Sequence, residues 1–341
     1  MSGLVPGPRL RVMTLASASS RFACAMLALV LVPASSGAAF AQTAPTPEQV
    51  VLAHAEAWSN GDLPGLLALV ADDARSYERP TDPYKLTGEL SDTIGSKDQL
   101  AAYFRAISAK PMARETVAEM AAVGDVIIAA GVSTDPQDDA SGMRFLTGYR
   151  VRDGQIHDLW HIAWIPAQAP VGPDPAEVIR QLIAANNARD TDRFLVLFSP
   201  DAKHFRYSDD PRKLADTPPE MLGDAASRET LFRHYFAGAP AQVEAIKLFS
   251  VGDLVVEQSH LTGFSDAPER TVNRAFIYRV RDGRVTEQWL LGEDILETPA
   301  SGAMRPSLPA PGLRAARPGM ARSGMPIITP GVPSCESRSC R

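Results

Sequence analysis

The chain has 341 residues, of which 45% are apolar and 22% charged, and a formal net charge of −6. That length allows two or three domains at about 100–200 residues each, with apolar material enough for real cores. No basic block stands outside the termini, so the electrostatic footprint of a nucleic-acid binder is missing and nucleic acid is not an expected partner.

The N-terminus reads as a targeting segment. Arg9, Arg11 and Arg21 precede an apolar run from Phe22 to Val32, and small residues then lead to Ala39-Phe40-Ala41. A basic stretch, a short apolar run and an Ala-x-Ala site describe a secretory signal peptide over 1–41, cleaved after Ala41. The run is shorter than the roughly 20 apolar residues needed to span a bilayer, and Pro33 ends it. The mature chain is therefore expected to be periplasmic or secreted, with no stable membrane span. Cleavage removes Cys24 and leaves Cys335 and Cys340, which an oxidising compartment would permit to pair. Residues 46–297 contain no cysteine, which excludes thiol catalysis there.

Beyond the leader the chain repeats itself. Tyr149-Arg-Val-Arg-Asp-Gly154 recurs as Tyr278-Arg-Val-Arg-Asp-Gly283, with Trp160 and Trp289 each six residues after the Gly. Asp73-Ala74 matches Asp201-Ala202, Asp82-Pro83 matches Asp210-Pro211, and Gly124-Asp125 matches Gly252-Asp253. Two copies, 46–165 and 174–297, are joined by a Pro-containing linker at 166–173 and followed by a Pro/Gly/Arg-rich tail at 298–341, which reads as disordered.

Each copy opens with a capped helix, Thr46-Pro47-Glu48-Gln49 or Asp174-Pro175-Ala176-Glu177. Helical spacing follows at Val50, Val51, His54 and Trp58, and at Val178, Ile179, Leu182 and Asn186. Asp62 and Asp190 are placed to cap a second short helix, extending to Val70 and Phe198. A turn-rich segment then leads to a third helix carrying Leu100 and Phe104, or Leu231 and Tyr235. Strands complete each copy, the last two joined by a hairpin at Asp153-Gly154 or Asp282-Gly283.

Three helices and then strands ending in Asp-Gly-x-Ile/Val-x-Asp/Glu-x-Trp resemble the SnoaL-like branch of the nuclear transport factor 2 superfamily. This branch includes polyketide cyclases and is related to ketosteroid isomerases and limonene epoxide hydrolases. The resemblance implies an α+β fold: two tandem cone-shaped domains, each with three N-terminal helices packed on a curved antiparallel sheet. It also implies a pocket between helices and sheet, and an intramolecular pseudo-dimer of the two copies through their sheets.

Strand alternation yields the candidate residues. Tyr149 with Val151, and Tyr278 with Val280, fall on the buried face, with Arg150 and Arg152 outward. In the last strand Ile156, Asp158, Trp160 and Ile162 share one face, repeated by Val285, Glu287, Trp289 and Leu291. A carboxylate thus sits between apolar residues in each copy, suited to proton transfer if burial raises its pKa. The alternative is an ion-paired carboxylate at the sheet rim. A second cluster follows helix two: Tyr77, Arg79, Asp82 and Tyr84, or His204, Tyr207, Asp209, Asp210 and Arg212. Its alternative is a solvated turn. Copy two also has Glu257 and His260 where copy one has Ala129 and Val132, so copy two is expected to be the active one if only one is.

The expected catalytic set is Glu287, Asp158, His204 and Tyr207, with Tyr77, Arg79, Tyr149, Trp160, Glu257, Tyr278 and Trp289 as binding residues. His157 and His161 lie about 13 Å apart along a strand, too far to share a metal, and are expected at the surface or an interface. His54 has no partner histidine nearby in sequence. No metal or cofactor is expected. Three readings stand: cofactor-independent acid–base catalysis on a small apolar molecule, non-catalytic hydrophobic-ligand binding, and a scaffold.

Overall fold

The computed structural model describes residues 44–296, apart from 83–84, 108–111, 136–137, 168–173, 209, 211, 216–223, 239, 265–266 and the side chains of 138–141. The expected signal peptide, the C-terminal tail with Cys335 and Cys340, most of the linker, Tyr84 and Asp209 lie outside the described residues. Everything below belongs to the unit that begins at Thr46.

The first copy runs α1 (Pro47–Asn60), α2 (Leu63–Ala68), β1 (Val70–Tyr77), α3 (Lys97–Ile107), β2 (Arg114–Val123), β3 (Val126–Asp135), β4 (Asp138–Arg152) and β5 (Gln155–Pro166). The second repeats it as α4 (Pro175–Ala188), α5 (Thr191–Val196), β6 (Phe198–Phe205), α6 (Ala225–Ala237), β7 (Gln242–Val251), β8 (Leu254–Thr262), β9 (Thr271–Arg281) and β10 (Arg284–Leu296). The Thr46 capping box is complete, and Asp62, Asp174 and Asp190 each accept a backbone N–H in the first turn of their helices. Val70 and Phe198 begin strands rather than extending the second helices.

Each sheet has five strands, in the order β1-β5-β4-β3-β2 and β6-β10-β9-β8-β7. Four of them form an antiparallel meander, and the first strand of each copy joins the last in parallel. The long connection between the two, one helix and three strands in each copy, makes that parallel pairing feasible. At both Asp-Gly hairpins the Asp adopts positive φ, 50° at Asp153 and at Asp282, as the tight turn requires.

Both faces of each sheet are covered. On one, helices pack: Val50, Val51, Ile127, Ala129, Tyr149, Val151 and Ile156 form a cluster in the first copy. On the other, the two sheets meet. A single apolar cluster draws Val123, Ile128, Leu146 and Trp160 from the first copy and Val251, Val256, Ile277 and Trp289 from the second. Polar contacts cross the same boundary. Gln258 accepts from the Ala122 N–H at 3.1 Å, Asn273 donates to the Ala122 carbonyl at 3.0 Å, and Trp160 donates to the Arg212 carbonyl at 3.3 Å. Sheet-on-sheet burial of this kind requires apolar side chains on both faces of β3, and they are present.

This second buried face corrects the placement of several sequence-derived residues. In the β4–β5 pairing, Arg150 lies opposite Asp158 and Val151 opposite Ile156, leaving His157 unpaired in a bulge. One extra residue transfers the residues after it to the opposite face, here as far as a second irregularity at Ile162. Ile156 therefore faces the helices, whereas Asp158, Trp160 and Ile162 face the other sheet. β10 carries the same irregularity at Thr286, sending Glu287, Trp289 and Leu291 to the sheet–sheet layer. Arg150 is correspondingly buried and not outward.

Candidate functional site

The first copy encloses a cavity of about 290 Å³ between α1, α3 and the inner face of its sheet. Its walls are mostly apolar, with Leu66, Val70, Ile94, Leu100, Ile156 and Leu159 among them. Polar side chains converge on it from separate elements. His54 and Trp58, one helical turn apart on α1, face it together. Tyr149 comes from β4, His161 and Trp164 from β5, and Glu115 from β2. The bulge at His157 is what turns His161 inward, so the expectation of a surface or interface position for it is corrected.

Ser59, at the end of α1, fixes Glu115 in place. Its hydroxyl accepts the Glu115 N–H at 2.8 Å while donating to the Ala55 carbonyl at 2.8 Å. This ties the edge strand β2 to the helix and points the carboxyl into the cavity wall.

The electrostatics follow from burial. Desolvation raises the Glu115 carboxyl to about 7. His54 is lowered to about 4 by desolvation and by its neighbour His161, and His161 is lowered to about 4 chiefly by desolvation. Burial and the nearby Glu115 push Tyr149 upward. At neutral pH the cavity thus holds two uncharged imidazoles, a protonated phenol and a carboxyl near its titration midpoint, with Arg75, Glu78 and Arg79 also in its lining. His54 Nδ1 and the indole N–H groups of Trp58 and Trp164 have no hydrogen-bond partner among the described residues. Unpaired buried polar atoms are costly unless something satisfies them.

The second copy has a smaller cavity, about 210 Å³, lined by Phe232, Glu257, Arg274, Phe276, Tyr278 and Gln288 among others. Tyr278 donates to Glu257 Oε2 at 2.6 Å.

The sequence-derived residues divide accordingly. Arg79 and Tyr149 line the first cavity, and Glu257 and Tyr278 the second. His204 is buried beside the second, packed against Phe198 and Phe232. Tyr207 stands exposed, away from either cavity's wall. Asp158 and Glu287 lie between the sheets in ion pairs. Arg150 Nε approaches Asp158 at 3.3 Å, Tyr77 donates to the same carboxylate at 3.3 Å, and Arg279 lies 3.7 Å from Glu287. Tyr77 stacks on Trp160 at 5.7 Å, and Phe205 on Trp289 at 5.4 Å. Tyr77, Trp160 and Trp289 are thus packing groups in that layer, and the two carboxylates line neither of these two cavities. Glu115, His54 and His161 are the groups the sequence reading missed; the His54-x-x-x-Trp58 helical spacing was the available signal.

Among the described residues no group of His, Cys, Asp and Glu is arranged to hold a metal ion, and no helix is long and apolar enough to cross a membrane.

Similar solved structures match one copy at a time. A cystatin-fold protein from Novosphingobium aromaticivorans is 19% identical over 36% of this chain and 100% of its own, with a TM-score of 0.30. An NTF2-like protein of unknown function from Burkholderia pseudomallei is 26% identical over 34% of this chain and 90% of its own, with a TM-score of 0.27. An LEH-like epoxide hydrolase from M. tuberculosis is 17% identical over 33% of this chain and 78% of its own, with a TM-score of 0.27. None of the curated proteins compared with the chain matches it. The model of the SnoaL-like domain matches twice, over residues 51–159 and 179–288, covering most of both copies, and the chain accordingly belongs to the SnoaL-like domain family in tandem-duplicated form.

Proposed function

We propose that the first copy binds a small, mostly apolar molecule and performs cofactor-independent acid–base chemistry on it. The observation that carries this reading is the convergence of Glu115, His54, His161 and Tyr149 on one apolar cavity. Glu115, titrating near neutrality, suits the proton-transfer role: ionised it removes a proton, protonated it returns one. Tyr149 stays protonated and supplies a hydrogen-bond donor to an oxyanion developing on the substrate. The neutral imidazoles of His54 and His161 orient that substrate by hydrogen bonds, while Arg75 and Arg79 are the cationic side chains in the cavity's lining. Family membership is compatible with isomerase, dehydratase, cyclase or hydrolase chemistry, and the site, not the fold, must decide among them.

The leader at 1–41 supports an extracytoplasmic setting for this chemistry, with a small molecule and not nucleic acid as partner. The shared apolar layer supports an intramolecular pseudo-dimer, in which each copy covers the sheet of the other.

The test is proton exchange. The mature protein, incubated in D2O with a panel of small hydrophobic ketones, enones and epoxides, is expected to deuterate or convert at least one member. Glu115→Gln should abolish that turnover while leaving binding intact. Saturable binding across the panel with neither exchange nor product would overturn catalysis and leave a ligand-binding protein.

A further inference from the structure

The two cavities occupy equivalent places in duplicated domains, yet their polar equipment is exchanged. Where the first copy has His54, Glu115 and His161, the second has Leu182, Val243 and Leu290 at the corresponding positions. Where the second has Glu257, Arg274 and Gln288, the first has Ala129, Phe145 and Leu159. Strand register supports the match: Ala129 pairs with Thr147 on the first sheet, and Glu257 with Phe276 on the second. Of the polar positions, only the tyrosine is kept, as Tyr149 and Tyr278. A worn-out copy of the first site would have lost polar groups without gaining others. This one has gained a buried carboxylate and a guanidinium.

Those two groups form a long ion pair but no hydrogen bond. Glu257 is 1% exposed, and its Oε2 accepts from Tyr278, but its Oε1 has no hydrogen-bond partner among the described residues. Arg274 approaches that oxygen only to 3.9 Å, and its Nε–H is likewise without a hydrogen-bond partner there. The guanidinium is held over the face of Phe276, 4.6 Å from the ring centre. Glu257 and Arg274, each with one buried polar atom that lacks a hydrogen-bond partner among the described residues, therefore both line one cavity, with aromatic walls at Phe194, Phe232, Tyr235 and Phe276. Each of those two atoms is costly to leave without a hydrogen bond in such surroundings.

We infer that the second cavity is a separate binding site for a small, neutral, planar molecule carrying an N–H donor beside a carbonyl oxygen, a primary aromatic amide being the simplest case. The N–H reaches Glu257 Oε1, the carbonyl accepts from Arg274 Nε, and the ring lies among the aromatic walls. Charge selects against the alternatives. An ammonium ligand suits Glu257 but is repelled by Arg274, a carboxylate suits Arg274 but is repelled by Glu257, and a plain hydrocarbon leaves both unpaired. This site is independent of the chemistry assigned to the first cavity and stands or falls without it.

Benzamide is the probe, titrated into the intact mature protein with benzylamine, benzoate and toluene as comparators, and followed by NMR of labelled aromatic residues. Benzamide is expected to bind saturably and to shift the ring signals of Tyr278 and Phe276 while those of Tyr149 stay in place. The paired substitution Glu257→Ala with Arg274→Phe installs the first copy's residues and removes both charges together, so neither is stranded. It should weaken benzamide roughly tenfold or more. Arg274→Lys, which keeps the charge and loses the Nε donor, should weaken it as well and serves if the paired variant does not fold. No binding of benzamide to the wild type, equal or tighter binding of any comparator, shifts at Tyr149 in place of Tyr278, or unchanged affinity in the variants would each overturn the assignment.

Discussion

His54 meets Tyr149 edge to face, with ring centroids 5.7 Å apart, in the buried layer between α1 and the first sheet. That contact is made by an uncharged imidazole, since burial and His161 hold His54 at about 4. The unfolded chain takes up the proton near the ordinary value of about 6.5. Between those two pH values the unfolded state binds more protons, so stability present above about 6.5 is lost as pH falls toward about 4. His54→Phe keeps a ring against Tyr149 and removes the titration. Thermal melts at pH 7 and pH 5 should therefore show a smaller drop for the variant than for the wild type; parallel drops would contradict the assignment.

Asp158 and Glu287 are expected to matter for stability and not for turnover. Both are ion-paired in the layer between the sheets, with Arg150 and Arg279. Asp158→Asn and Glu287→Gln each leave a buried guanidinium with a poorer partner, which costs on the order of 1–3 kcal/mol. Urea denaturation reads the loss, and any turnover found for the wild type should survive in the folded variants. Turnover lost at full stability would return these carboxylates to the catalytic set.

The sheet–sheet layer makes its own forecast. Val256 is 0% exposed within the apolar cluster that joins the copies. Val256→Asp places an unpaired charge there and should cost upward of about 3 kcal/mol, enough to unfold a marginal domain. A first copy expressed alone would leave Trp160, Ile128 and Leu146 uncovered and should self-associate, as sedimentation would show. A monomeric, well-folded first half would count against the pseudo-dimer.

Much of the architecture was written in local residues. The repeated Tyr-Arg-Val-Arg-Asp-Gly runs mark the duplication, and Thr46, Asp62, Asp174 and Asp190 cap helices where side-chain chemistry says they should. The site was less legible for two physical reasons. A bulge at His157 inverts the faces of β5, and a period-two reading has no local signal for an inserted residue. In addition, alternation marks a buried face without saying what buries it. Asp158 and Trp160 do lie on a buried face, but one covered by the second sheet. Glu115 lies on an edge strand whose residues alternate only weakly in burial, and its neighbours Ser59 and Tyr149 are remote in sequence.

The central assignment, an apolar cavity that keeps Glu115 poised for proton transfer, is tested most directly without any substrate. Carboxyl-carbon NMR of glutamate-labelled protein, with Glu115→Gln to identify the signal, reports the titration of that one group. A midpoint at about 7 is expected. A midpoint at the ordinary carboxylate value of about 4.3 would mean that water reaches Glu115 freely, and would contradict the assignment.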